Sequence, residues 1–247
     1  MALLRTKKKR LTPNKFWNVI SYRDNLFFSS FSENGYYIFE YLKRHRPKIV
    51  IINEPNPVVA SFLLALKERA EDFFDKISLF KMLYKDSSKI MLTRAEGLLH
   101  SSDTVDIAAG FYIINQITSP TTGKVFKNYF EQFIKSEPKQ ALEPYQELLS
   151  KVIVTTTSTE SFLNGITIND KNEFMLIVTD YNESEQHLID LHTKNRSIPE
   201  RFYSRRVLTI ASEGETSSLP SLSESELDKL GLSKYTHSAA KSTILLN

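Results

Sequence analysis

The chain has 247 residues, of which 41% are hydrophobic, so it can bury a substantial core in one α/β domain or in one domain with an insert. It contains no cysteine, which excludes disulfides, thiolate metal sites and cysteine nucleophiles. Its seven glycines compare with about 17 at average usage, and this scarcity argues against a Gly-rich nucleotide loop. The five histidines are scattered, so we expect no metal. Without a signal-like segment or an apolar stretch of ~20 residues, we expect a cytoplasmic protein that does not contact a membrane.

The formal net charge of +3 is mild but unevenly distributed. A basic run near the start consists of Arg5, Lys7, Lys8, Lys9 and Arg10. Two interpretations of this run remain open: a solvated arm over residues 1–15, or a segment that contacts nucleic-acid phosphates.

The first third of the chain alternates helical and strand patterns. Helices are predicted from Asn14 to Leu26, with Asn14 as the cap, and from Gly35 to Arg46, where apolar residues recur at helical spacing. The uninterrupted apolar run within residues 48–54 predicts a buried parallel strand, and a helix is predicted over 58–78. This order is typical of a doubly wound sheet.

Residues 79–150 contain no convincing strand and are interpreted as a helical insert. Helices are predicted at Ala108–Ile117 and at Pro144–Leu149, and the segment 126–134 between them is aromatic and of mixed charge. A loop is predicted at Ser119–Lys124 because it contains Pro and Gly.

The strand pattern returns after residue 150. Strands are predicted at 151–155, 174–178, 206–211 and 242–246, and helices at 158–163 and 184–193. Residues 169–172 are interpreted as a turn, and 213–225, rich in Ser and Glu, as a mobile segment.

The order of these elements and four short segments resemble the Dam-type N6-adenine DNA methyltransferase family. The matching segments, in chain order, are Tyr22–Phe27 beside the family's Y-x-E-P-F, Ile51–Pro57 beside I-N-D-x-N-P, Ala108–Gly123 beside A-x-x-F-Y-x-x-N-R-x-x-x-x-G, and Thr179–Asn182 beside D-P-P-Y. The terminal segment 241–247 is similar to the family's closing strand.

The resemblance implies a Rossmann-like methyltransferase sheet split by a helical insert. The corresponding divisions are residues 1–78, a first part of the sheet domain with its basic arm, 79–150, a DNA-recognition insert, and 151–247, the second part. It implies that S-adenosylmethionine would lie near Asp24, Phe27 and Glu54, with Glu54 on the ribose hydroxyls. Glu54 is equally compatible with a carboxylate at the start of a helix, beside Pro55. It also implies that Asp180 and Tyr181 stand in the catalytic turn.

DNA is the partner that the resemblance implies for the insert. The candidate DNA-binding residues are Lys124 and Lys127, together with Lys7, Lys8, Lys9 and Arg10 of the arm. Lys124, Lys127 and Lys135 are equally compatible with solvated positions. Asn115 and Gln116 are interpreted as a polar helix end rather than as DNA contacts.

Three departures from the family bear on activity. Where the family has small residues beside the cofactor, residues 28–35 carry the bulky Phe28 and Phe31 and only one glycine, Gly35. The family's N-terminal G-G-K is also absent. After the strand 174–178, both prolines of the D-P-P-Y turn are missing, so Asp180 and Tyr181 are adjacent. In the family this turn accepts the hydrogens of the adenine amine and stacks on the flipped base.

Three hypotheses follow. The first is a degenerate methyltransferase that binds DNA or a protein partner without catalysis, with no cofactor. The second is a divergent but active S-adenosylmethionine-dependent adenine methyltransferase. The third is an interaction or structural protein that binds neither DNA nor cofactor. The lost motifs favour the first.

Overall fold

The computed structural model describes residues 4, 25–28, 36–44, 50–120, 122–158, 161–162, 173–179, 206–212, 233–237 and 242–246. Residues 1–8 with 56–156 form one compact unit, and residues 9–55 with 157–247 form another. The second unit is therefore built from two stretches of chain, which come before and after most of the first unit in the sequence.

The first unit is helical in the part of it that the structure describes. Its helices are α2 (Pro57–Glu68), α3 (Ala70–Tyr84), α4 (Ser88–Leu98), α5 (Thr104–Ile117), α6 (Lys127–Lys135) and α7 (Pro138–Leu149). Strand β3 (Val152–Thr155) follows them and packs near α2 and α7. The helix predicted at 108–117 and the strand predicted at 151–155 are confirmed with slightly different ends.

The apolar helix α5 forms the centre of the first unit and packs against α2, α3, α4 and α6. Phe62 of α2 stacks on Tyr112 of α5 with 6.1 Å between ring centroids, and Phe73 of α3 meets both rings edge-on. Phe133 of α6 also meets Tyr112 edge-on. These four rings are fully buried, and each such pair contributes about 0.5–1.5 kcal/mol beyond the burial of area.

Two helix predictions in this unit are wrong in their limits. The helix expected over 58–78 is two helices separated at Arg69, whose backbone (φ −134°, ψ 42°) is not helical. The helix expected to begin at Pro144 begins instead at Pro138, which occupies the first-turn position that suits proline. Pro144 lies inside α7 with its ring exposed.

The second unit contains helix α1 (Tyr36–Arg44) and six strands among its described residues. The strands are β1 (Asn25–Phe28), β2 (Val50–Asn53), β4 (Glu173–Thr179), β5 (Arg206–Ser212), β6 (Ser233–His237) and β7 (Ser242–Leu246). They are hydrogen bonded in the order β2-β1-β4-β5-β7-β6.

The first four strands of this order are parallel, and the last two pairings are antiparallel. Helix α1 connects the parallel neighbours β1 and β2, as a crossover between parallel strands requires. It buries Ile38, Phe39, Tyr41 and Leu42 and ends with the exposed Lys43 and Arg44. The strand predictions for the second unit are confirmed in position.

Other predictions are wrong or lie outside the described residues. The helix predicted from Asn14 to Leu26 is wrong at its end, because Asn25 and Leu26 pair in β1. The turn at 169–172, the helix at 184–193 and the segment 213–225 lie outside the described residues. Of the basic arm, the structure describes only Leu4, which is buried.

The two compact units divide the chain differently from the predicted limits at residues 78 and 150. Helix α2 belongs with the helical unit because Phe62, Leu63 and Leu66 are buried in it.

Candidate functional site

The order of strands in the second unit reverses next to β1. Strand β2 lies on one side of β1, and β4, β5 and β7 lie on the other. In open α/β sheets, ligands bind outside the carboxyl ends of the strands where the strand order reverses. The candidate site is therefore at the ends of β1 and β4, at Phe28 and Thr179.

Glu54 follows directly after β2 on the same edge of this sheet. It is 6% exposed, which is unusual for a carboxylate, because an ionised group is costly to bury without hydrogen-bonding partners. An acidic side chain that follows a parallel strand is what a ribose-binding site of this architecture uses. Among the residues implied to bind the cofactor, Glu54 is the one whose side chain the structure describes.

Asn53 fixes the end of β2 beside Glu54. Its side chain is fully buried and its amide nitrogen donates to the carbonyl of Thr157 at 2.9 Å. Its Oδ1 accepts from the backbone N–H and from the hydroxyl of Thr157, each at 3.1 Å. Residues 104 positions apart are thus joined by three hydrogen bonds.

The Asn56-Pro57 part of the same motif has a local structural role. Asn56 caps α2 by accepting from the backbone N–H of Val58 at 3.0 Å, and Pro57 is the first helical residue. The presence of Asn56 and Pro57 is therefore explained by their role in starting α2.

The segment expected to open a cofactor loop is partly a strand. Phe27 pairs with Ile51 on β2 and with Met175 on β4, so a loop leaving β1 can begin only after Phe28. Asp24 and the stretch 29–35, which includes Phe31 and Gly35, lie outside the described residues.

The expected catalytic turn begins where β4 ends. Thr179, which takes the Asp position of the family motif in an ungapped comparison, is the last residue of β4 and pairs with Ala211. Asp180, Tyr181 and Asn182 lie outside the described residues.

The predicted loop at Ser119–Lys124 forms a tight turn in the helical unit. Thr118 bridges to Val125, the N–H of Ser119 donates to the carbonyl of Lys124 at 2.8 Å, and Gly123 has φ 68°. Only glycine adopts this left-handed conformation readily. The turn leaves Lys124 exposed.

Beside this turn lies an aromatic pair that sequence reasoning did not select. Phe126 is 50% exposed and its ring centroid is 4.9 Å from that of Tyr129. The neighbouring Lys127 has an 87% exposed side chain and a weak ion pair with Glu131 at 3.9 Å. The aromatic character of 126–134 is visible in the sequence, but the exposure of Phe126 is not.

The remaining candidate residues on the insert differ in how far their side chains are buried. Lys135 is exposed in the last turn of α6. Gln116 is 1% exposed, and its amide nitrogen donates to Asn115 Oδ1 at 3.3 Å, which agrees with a polar helix end. The arm residues Lys7, Lys8, Lys9 and Arg10 lie outside the described residues.

Within the described ranges, no group of three or more His, Asp or Glu is arranged to hold a metal ion. None of the helices described is long and apolar enough to cross a membrane. No protein-family model matches the sequence, and a search of curated proteins finds no match.

Proposed function

We propose that this protein is a catalytically degenerate relative of the N6-adenine DNA methyltransferases, with a Rossmann-like sheet split by a helical insert, and that it binds DNA or a protein partner. The observation that carries this proposal is the position, in the sheet, of the two segments that depart from the family motifs. The parallel sheet reverses its order at β1, and the glycine-poor stretch with the bulky Phe28 and Phe31 starts at Phe28, where β1 ends. The altered turn follows the end of β4.

The loss of both motifs at one sheet edge supports loss of catalysis more strongly than either loss alone. A cofactor that approaches the backbone closely needs residues without bulky side chains after the first strand. Methylation of an adenine amine also needs acceptors in a fixed arrangement around a flipped base. The sequence retains Asp180 and Tyr181 but not the prolines that would separate them.

DNA binding is supported by the turn beside α6, where basic and aromatic side chains are exposed together. Lys124 and Lys127 can contact phosphates, and Phe126 offers a ring on which a base can stack. This combination is typical of nucleic-acid surfaces, whereas isolated exposed lysines are common on any surface. Such a role is consistent with a cytoplasmic location, which is part of the proposal.

The test is fluorescence anisotropy with a labelled DNA duplex and the matching single strand, over a range of salt concentrations. Lys124→Glu and Lys127→Glu should each weaken binding and reduce the slope of log affinity against log salt by about 1. Lys151→Glu, at another exposed lysine of the same unit, is the matched control and should change the slope less. Equal effects of all three variants, or no salt-dependent binding, would contradict the DNA role.

Stacking is tested separately with Phe126→Ala. Loss of a stacked base costs roughly 1–3 kcal/mol, so we expect a clear loss of single-strand affinity. Ile153→Ala is the control, because Ile153 is also 50% exposed. An unchanged affinity for the Phe126 variant would show that this ring is not used.

The buried Glu54 favours one second candidate, a divergent but active S-adenosylmethionine-dependent enzyme. That function requires Glu54→Ala to weaken cofactor binding and Asp180→Ala to abolish adenine methylation. Transfer of a labelled methyl group to DNA by the purified protein would favour it over the degenerate enzyme.

A further inference from the structure

Helix α3 has apolar residues on its outer face as well as on the face that packs into the core. Phe73, Ile77 and Phe80 are buried, as a core-facing stripe requires. Leu79, Met82 and Leu83 follow the spacing i, i+3, i+4 and are 44%, 65% and 55% exposed. Single exposed apolar residues are ordinary, but three on one helix face form a patch that solvent does not favour.

The start of α4 adds a fourth exposed apolar residue near this patch. Only three residues separate α3 from α4, and the turn is closed by a hydrogen bond from the N–H of Ser87 to the carbonyl of Tyr84 at 3.1 Å. Ser87 caps α4 and Ile90, in its first turn, is 51% exposed. We call Leu79, Met82, Leu83 and Ile90 the α3–α4 patch.

Charged residues around the α3–α4 patch differ from those at the start of α3. There, Arg69 pairs with Asp72, Lys76 with Asp106, and Glu71 with Lys139. Around the patch, the exposed Lys85, Lys89 and Arg94 form no ion pair with any other described residue. The exposed acidic side chains there are Asp86, between α3 and α4, and Asp75, one turn before Leu79 on α3. The border therefore carries a small excess of positive charge that is available to a partner.

We propose that the α3–α4 patch binds an acidic amphipathic helix of a partner protein. The apolar residues would cover the apolar face of such a helix, with Met82 adapting to its side chains. Lys85, Lys89 and Arg94 would face its carboxylates, which favours acidic over basic helices. The inference is independent of the methyltransferase ancestry, because the patch lies within the helical unit and uses none of the residues assigned to DNA or cofactor.

The test uses the full chain and a fluorescent helical peptide of about 20 residues, with leucines on one face and glutamates on the other. A second peptide carries lysines in place of the glutamates. We expect saturable binding of the acidic peptide and at least about tenfold weaker binding of the basic one, the size of one well-placed contact.

The variants L79S/M82S/L83S and Lys89→Glu should each weaken binding of the acidic peptide about tenfold. Their matched controls are Ile153→Ser, another exposed apolar residue, and Lys151→Glu, another exposed lysine, which should leave binding unchanged. All substituted residues are at least partly exposed, and circular dichroism of each variant checks that its helices are retained.

Three results would overturn the proposal. The first is no binding of the acidic peptide, or equal binding of both peptides. The second is binding to anionic phospholipid vesicles, lost in L79S/M82S/L83S, without peptide binding, which would make the patch a membrane contact. The third is self-association of the unliganded chain that the same triple variant abolishes, which would assign the patch to a second copy. DNA binding is unaffected by any of these outcomes, so the two proposals fail separately.

Discussion

Gly110 permits the close crossing of two helices in the first unit. A Cβ at this position of α5 would lie 2.6 Å from the carbonyl oxygen of Ala95 and 3.0 Å from Cβ of Leu98, both on α4. The backbone oxygen cannot move aside without separating the helices. The glycine is thus explained by packing, although it falls in a segment that resembles a family motif.

We predict that Gly110→Ala destabilises the protein by about 1–3 kcal/mol, because it overpacks a tight contact. Gly97→Ala is the control, because nothing lies within 4 Å of its Cβ position and alanine favours the helix by up to about 1 kcal/mol. Urea denaturation of both variants measures the difference. If both variants were equally stable, the helices would not be held this closely.

Asn53 is the second residue whose environment determines its identity. We predict that Asn53→Ala costs about 1–3 kcal/mol, because it removes the three hydrogen bonds that a fully buried side chain makes to Thr157. Thr157→Ala removes only the hydroxyl's bond and should cost less. Thermal denaturation compares the two, and a smaller loss for Asn53→Ala than for Thr157→Ala would refute the assigned hydrogen bonds.

At the scale of elements, Arg69 connects the break between α2 and α3 to the start of α5. Its guanidinium donates to Asp72 at 3.0 Å and to both carboxylate oxygens of Asp103 at 3.2 Å. Asp103 also caps α5 by accepting from the N–H of Val105 at 2.6 Å. Hydrogen bonds from the Val105 N–H and then from Arg69 hold the pKa of Asp103 below its usual value.

This lowered pKa predicts how stability depends on pH. The folded state favours the ionised carboxylate, so the contribution of Asp103 is complete above its unfolded pKa of about 3.9 and is lost as pH falls through the lower folded value. Asp103→Asn retains a good helix cap without the charge, and should show a smaller loss of stability in acid than the unchanged protein. Denaturation curves from neutral pH to about pH 2 test this. Identical acid profiles for the two proteins would mean that the ion pair contributes nothing.

The elements that sequence analysis identified are those with strong apolar patterns. The strands at 151–155 and 174–178 contain uninterrupted apolar runs, and the strand at 206–211 is apolar except for Arg206 and Thr209; each is confirmed. Strand β6 was missed because Ser233–His237 is polar and pairs with only one neighbour, β7. The break at Arg69 was missed because no Gly or Pro signals it, and one of the acids that hold Arg69 is 34 residues away.

The sequence likewise predicts only part of the candidate site. The sequence identifies Glu54 as an acidic residue after a strand, and the structure adds that its side chain is buried. Phe126 is exposed beside Lys127 because of how α6 packs on α5. The local sequence pattern carries no information about that packing. The partners of Asn53 could not be predicted either, because Thr157 is distant in sequence.

For the whole molecule, the proposed ancestry and the expected activity are separate questions. The Rossmann-like methyltransferase ancestry is a proposal that rests on the sequence segments and on the strand order of the sheet unit. The bulky Phe28, at the end of β1, and Phe31, after it, argue against the reaction, as do the missing prolines after β4. We therefore predict that the purified protein transfers no methyl group to adenine in DNA, measured with radiolabelled S-adenosylmethionine. Methylation above a no-protein control would contradict the prediction.

We infer that the cofactor site has been lost, and isothermal titration of the full chain with S-adenosylmethionine is the experiment that tests this inference. We expect no saturable heat at high protein concentration, with the same result for S-adenosylhomocysteine. Saturable binding in the micromolar range that Glu54→Ala weakens would contradict it and would establish that the glycine-poor stretch after β1 still forms a cofactor pocket.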